Sequence, residues 1–279
     1  MTWDPMSIEE LAAFKRACGE HVIKIKGVWW VEARPFFFRT LFPFDEIRPG
    51  FAQYPVQSLV GGVLHLVPAG VPGNSCMNLF LYDQLSEYAL DRMGTKARWT
   101  IKKGLENFRV ERITDMNRFT DQAYPVYRAF FDRTNYFYKS ERNEKISFLA
   151  WARIIFENPK VMVMGAYHQD SLCAIDISYQ VEDIIIDDVF FSDTKSQQLR
   201  VTDFLVHTLR DAAKSSTARF IFRGFPSGKE SLDQSKLTRG CKIFKLAAYC
   251  RINPLALHIG KAVMNSSYRK LAAMTSCAQ

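Results

Sequence analysis

Between Val161 and Arg223 the spacing of apolar residues changes period twice, and this restricts the folds open to the chain more than any other feature. Val161–His168 is an apolar run rich in Val and Met, closed by the turn-like Gln169-Asp170-Ser171. Leu172–Val181 then alternates. Cys173, Ile175, Ile177, Tyr179 and Val181 share one face, and Ala174, Asp176, Ser178 and Gln180 share the other. Successive side chains of a strand point to opposite sides, so this is a strand with two unlike faces. After a second turn at Glu182-Asp183, Ile184–Phe191 is a third run, with Asp187 and Asp188 set among Ile and Phe. From Thr194 the period becomes helical, carried by Val201, Phe204, Leu205, Leu209, Ala212 and Ala213, and Thr194 with Gln197 fits a capping box. Ala218–Gly224 reads as one more strand. A three-strand antiparallel meander therefore feeds a helix and returns as a strand.

The other segments are read around that core. Ser7–Glu20 is an amphipathic helix, capped by Ser7 with Glu10 at the third position and a stripe of Leu11, Phe14 and Cys18. Val22–Phe44 is dense in aromatics, with Arg34, Arg39 and Arg48 interleaved or close behind. Such a mixture either stacks bases or sugars or forms a small β-rich core with solvated arginines. Leu59–Val67 and Met77–Tyr82 predict strands joined by the Pro/Gly-rich Pro68–Asn74. Leu85–Leu105 predicts a helix carrying Arg98 and Lys102 on one face, with Gly104 loosening its end. Phe108–Thr114 reads as a strand, and Met116–Thr134 and Ile146–Glu157 as helices joined by the polar, aromatic Tyr136–Glu144. Beyond Gly224 come a Pro/Gly/Ser loop, a short helix Glu230–Thr238, a strand Cys241–Ile252 and a helix Pro254–Lys270.

With 279 residues and 48% hydrophobic content the chain can bury one large core or two modest ones. No stretch near the N-terminus joins a basic start to a continuous apolar core, so no signal peptide is expected. Phe51–Tyr82 lacks Asp, Glu, Lys and Arg, yet Pro55, Pro68, Pro72 and its glycines break any long helix, so no transmembrane segment is expected either. Six cysteines are spread without a CxxC pair, which predicts reduced thiols in a cytoplasmic protein. Five scattered histidines offer no metal spacing, and no metal is expected. The net charge of +8 points to an anionic partner such as a phosphate, a nucleotide, tRNA or an acidic lipid headgroup, or else is the mild basicity common to many bacterial proteins.

From Phe108 the order of elements is β, α, α, β, β, β, α, β, α, β, and over Phe108–Ile252 it resembles the acyltransferase fold of the GNAT superfamily of N-acetyltransferases. Two short pieces are similar to its FemAB-like branch: Arg98-Trp99-Thr100-Ile101-Lys102-Lys103-Gly104-Leu105, and Ser231-Leu232-Asp233-Gln234-Ser235-Lys236 running into Arg239-Gly240-Cys241. The resemblance implies an α/β (α+β) fold with a mixed, mainly antiparallel sheet flanked by helices. Residues 108–279 would form the acyltransferase domain, preceded by an N-terminal β-rich extension, residues 1–107, that is either a separate domain or closes over the cleft. It also implies transfer of an acyl or aminoacyl group to an amine or hydroxyl of a small molecule or of an envelope or polysaccharide precursor.

The superfamily's acyl-CoA loop has the form Q/R-x-x-G-x-G/A, in which glycines let backbone N–H groups reach a pyrophosphate. Here Gln197 fits, but Arg200 and Thr202 stand where glycines are expected, which puts acyl-CoA against aminoacyl-tRNA as donor. Lys236 occupies about the place where many acetyltransferases carry a proton-donating Tyr.

Acyl transfer needs a base for the nucleophile's proton and donors for the developing oxyanion. By the resemblance, the site lies where the two central strands part. Asp187 or Asp188 would supply a carboxylate there, and Asp176 or Tyr179 a residue from the neighbouring strand. Thr194, Ser196, Gln197 and Gln198 begin the helix whose positive end would attract an anionic donor, together with Lys236, while Arg98 and Lys102 would bind substrate. Two other classes compete: an inactive module of the same fold that holds an anionic ligand, and a nucleic-acid binder built on the basic helix Leu85–Leu105.

Overall fold

The structure is a computed structural model and describes residues 2–134, 139–263 and 265–275. In chain order it begins with α1 (Ile8–Ala17), β1 (Val22–Ile25), β2 (Val28–Arg34), β3 (Phe37–Thr40), β4 (Gly62–Leu66) and β5 (Ser75–Tyr82). There follow α2 (Thr95–Asn107), β6 (Arg109–Arg112), α3 (Met116–Thr134), α4 (Lys145–Glu157) and the meander β7 (Val161–His168), β8 (Ser171–Val181) and β9 (Ile184–Ser192). The rest is α5 (Thr194–Gln198), α6 (Val201–Ala213), β10 (Phe220–Phe222), α7 (Glu230–Leu237), β11 (Lys242–Ile252), α8 (Pro254–Val263) and α9 (Asn265–Thr275).

The chain falls into two compact units, each assembled from parts distant in sequence. The first comprises Met1–Ser7, Tyr82–Arg223 and Thr238–Gly240; the second comprises Ile8–Leu81, Gly224–Leu237 and Cys241–Gln279. These are not contiguous blocks, unlike the division by sequence order at residue 107.

In the first unit the strand order is β10-β9-β8-β7-β6, antiparallel except for the parallel β10–β9 pair. One face of this sheet packs on α3 and α4. Phe148, Trp151, Ala152 and Ile155 recur at helical spacing and are buried. Phe119 stacks on Phe148 at 5.7 Å, and Tyr127 meets Phe191 of β9 edge-on at 5.3 Å. The opposite face of β8 is the one the sequence paints polar, yet Asp176, Ser178 and Gln180 are fully buried. Two of these find partners, as burial requires. Ser178 Oγ accepts from Trp3 Nε1 at 3.2 Å, and Gln180 Nε2 donates to Thr217 Oγ1 at 3.0 Å.

In the second unit the order is β1-β2-β3-β4-β11-β5, antiparallel except for β3–β4. The aromatic stretch supplies β1–β3, and Trp30, Phe38 and Val63 centre its core.

Four expectations are corrected. The helix expected over Leu85–Leu105 begins only at Thr95, because Gln84 is left-handed and Ala89, Met93 and Gly94 are extended. Buried Tyr88 is held by its hydroxyl 2.7 Å from His207 Nδ1, so the preceding residues form two separate 3₁₀ turns. The helix expected from Thr194 is two helices, and its cap is Asp193, whose Oδ1 accepts from Ser196 N at 2.7 Å, rather than Thr194. Pro254–Lys270 likewise divides into α8 and α9. Cys76 is disulfide-bonded, against the expectation of reduced thiols, whereas Cys18, Cys173, Cys241 and Cys250 keep their thiols. The connection expected at Tyr136–Glu144 lies partly outside the described residues, which resume at Lys139.

Candidate active site

The first unit places a carboxylate pair and a guanidinium on the buried polar face of β8. Ser178 lies opposite Asp187, but Ile177 lies opposite Val189, so Asp188 is the extra residue of a bulge in β9. Directly opposed residues share a face, which sets Asp187 on the side of Asp176, Ser178 and Gln180. Asp188 is left exposed. Arg223 follows β10, whose Phe222 is level with Ile186, and it therefore reaches Asp187 from the far side. The two form an ion pair with side chains only 13% and 3% exposed.

The strands part at this point. β10 pairs with β9 only along Ile184–Ile186, whereas β8 follows β9 to Ser192. From Asp187 onward, no strand among the described residues pairs with β9 on the β10 side. β9 is thus paired unevenly on its two sides, and helix follows Asp193.

Asp176 is the unusual group. Among the described residues neither of its carboxylate oxygens has a hydrogen-bond partner. Burial pushes its carboxyl up to about 7, against the downward pull of the Arg223 charge. A carboxyl that titrates near neutral pH is matched to accepting and returning a proton. Asp187, held by Arg223, supplies fixed charge beside it.

At the start of the two helices the side chains serve the backbone. Thr194 and Gln198 are exposed. Ser196 is buried, its hydroxyl 3.2 Å from Asp193 O. Gln197 Nε2 donates to Ser192 Oγ at 2.6 Å and to Thr202 Oγ1 at 3.4 Å. Arg200 holds φ +73°, the left-handed conformation that a glycine adopts without cost, so the backbone keeps the turn while the side chain departs from the pattern. A diphosphate needs bare backbone N–H groups at the start of α6, and here Arg200 and Thr202 carry side chains at the positions where the pattern has glycines. Among the described residues no group of His, Cys, Asp or Glu is placed to hold a metal ion.

The remaining sequence candidates are scattered. Tyr179 is fully buried on the opposite face of β8, toward the aromatic core. Lys102 is exposed, and Arg98 donates to Asp91 O at 3.4 Å. Lys236 belongs to the second unit, where its Nζ lies 4.5 Å from the centre of the Phe80 ring.

One residue that sequence reasoning passed over, Asp203, ties the FemAB-like pieces together. Asp203 Oδ1 accepts from Thr100 Oγ1 at 3.4 Å and from Arg239 Nε at 3.1 Å, so one buried carboxylate joins both motifs to α6. Its signal in the sequence is a single acid within an apolar helical face. Gly104 does not loosen α2 but lets it approach α6: a Cβ there would lie 2.8 Å from Phe204 Cβ and 3.1 Å from Arg200 O.

No family model and no curated protein matches the sequence. Solved structures do. A C-terminal domain assigned to a lysylphosphatidylglycerol synthetase from Agrobacterium fabrum superposes with TM-score 0.58 at 12% identity, covering 91% of this chain and 92% of that one. L-PGS from Bacillus licheniformis gives 0.56 at 11% identity, covering 96% and 97%. FemX gives 0.57 at 8% identity, covering 90% and 92%. At such identities the likeness concerns the fold, a mixed, mostly antiparallel sheet flanked by helices: the chain has a GNAT-like, FemAB-like fold.

Proposed function

We propose that the protein is an acyltransferase that moves an aminoacyl group from aminoacyl-tRNA to an amine or hydroxyl of a small molecule or an envelope precursor. The observation that carries this reading is the buried Asp176–Asp187–Arg223 group at the parting of β9 and β10. The names of the structural relatives, FemX and lysylphosphatidylglycerol synthetase, point toward the same class of chemistry. An ester donor is favoured over a thioester of coenzyme A because the start of α6 lacks the glycines a diphosphate needs. The chain's positive charge suits a polyanionic donor.

In the proposed reaction Asp176, as carboxylate, takes the proton of the acceptor amine or hydroxyl while the freed lone pair attacks the donor's carbonyl carbon. Arg223 stabilises the negative charge that develops on the carbonyl oxygen. The ester C–O bond then breaks, and the leaving hydroxyl takes the proton back from Asp176. Asp187 keeps the guanidinium oriented.

Transfer from labelled aminoacyl-tRNA to a panel of amine and hydroxyl acceptors tests the proposal. Asp187→Asn is expected to lower turnover by about 10²-fold or more with the fold retained. Unchanged transfer in that variant, or a rise in melting temperature with acyl-CoA and not with tRNA, would overturn it.

A further inference from the structure

The second unit exposes an apolar surface that the transfer reading does not use. Phe51 is 84% exposed, Val56 76%, Leu255 69%, Leu59 62% and Val60 55%. These residues are neighbours in space. Asn253 Nδ2 donates to Leu59 O at 2.9 Å, and Asn253 N donates to Gly61 O at 2.9 Å. Leu255 N in turn donates to Asn253 Oδ1 at 2.9 Å. Arg251 binds Ser58 Oγ at 3.4 Å and lies 5.1 Å from the Tyr54 ring centre, drawing the loop that carries Phe51 and Val56 to the same place. A cluster of large apolar side chains on adjacent turns is costly to hydrate and marks a surface that something covers.

Charge indicates what covers it. The longer stretches to which these turns belong, residues 47–82 and 241–279, contain no Asp or Glu and seven Lys or Arg. They therefore carry seven of the chain's eight net positive charges. Arg48 stands at the start of the turn that holds Phe51, Arg251 lies beneath the loop, and Lys261 is exposed on α8. We infer that this face docks on an anionic lipid bilayer, the apolar side chains entering the headgroup layer and the cations pairing with lipid phosphates. A second copy of the chain fits poorly, because a symmetric contact would set Arg48 and Lys261 against their own copies with no acid from residues 47–82 or 241–279 between them. RNA would satisfy the cations and leave the aliphatic side chains of Val56, Leu59, Val60 and Leu255 without partners.

Co-sedimentation of the full chain with vesicles tests this, using phosphatidylcholine alone and phosphatidylcholine mixed with phosphatidylglycerol. Binding is expected to the mixed vesicles, to weaken as salt is raised, and to fall by about tenfold or more in Phe51→Ser/Leu59→Ser. Turnover on a soluble acceptor is expected to be unchanged in that variant, which separates this proposal from the transfer reading. If the variant melts early, the dependence of the unsubstituted protein on phosphatidylglycerol and salt decides alone. Equal sedimentation with both vesicles, or with neither, would overturn the inference. So would loss of self-association in the variant with vesicle binding untouched, or tRNA binding abolished by Arg48→Glu/Lys261→Glu in a protein that ignores vesicles.

Discussion

Asp176→Asn isolates the energetic cost of the buried carboxylate. In the unfolded chain this group titrates near its ordinary value of 3.8, whereas burial raises it to about 7 in the folded protein. Between those values the folded state binds the additional proton, so stability is fully present below about pH 4 and falls as pH rises toward 7. From about pH 5 to about pH 8 the raised carboxyl titrates over roughly two pH units, a loss of about 3 kcal/mol at 1.36 kcal/mol per unit. The full interval gives a ceiling of about 4 kcal/mol. Asparagine keeps the shape and cannot ionise. Its amide adds a constant cost of burial, which leaves the pH dependence unaffected. Urea unfolding of both proteins across this range should therefore show the difference moving by about 3 kcal/mol in favour of the variant as pH rises. Buried His65 and half-buried His207 titrate in both proteins and cancel. Parallel stability curves would refute the assignment of a desolvated, proton-exchanging carboxyl at this position.

Two further predictions concern the contacts around α6. Arg239→Met leaves Asp203, only 10% exposed, without its ion partner and should cost about 2–3 kcal/mol, at the low end for a buried pair because Arg239 keeps 23% exposure. Asp203→Asn/Arg239→Met should recover part of that loss, and thermal melts of both variants check it. Gly104→Ala should destabilise by about 1–3 kcal/mol, because the added methyl meets Phe204 and the Arg200 carbonyl rather than a flexible side-chain end. A neutral effect in denaturant titration would mean that α2 can withdraw from α6.

What the sequence determined by itself is the set of elements and their order. The alternation along Leu172–Val181 and the helical spacing of Phe204, Leu205 and Leu209 follow from side-chain geometry within one segment, so β8, β9 and α6 could be read directly. Adjacency of Asp187 and Asp188 placed them on opposite faces without saying which face is buried. Only the tertiary structure decided that, through the bulge at Asp188 and the arrival of Arg223 beside Asp187. The same holds for Asp203, joined to Thr100 across 103 residues of chain and to Arg239 across 36. It holds also for Arg200, whose left-handed backbone persists without the glycine that would have announced it. Periodicity records how a segment meets an apolar surface; it carries no information about which distant segment brings that surface, and the pKa of Asp176 depends on the latter.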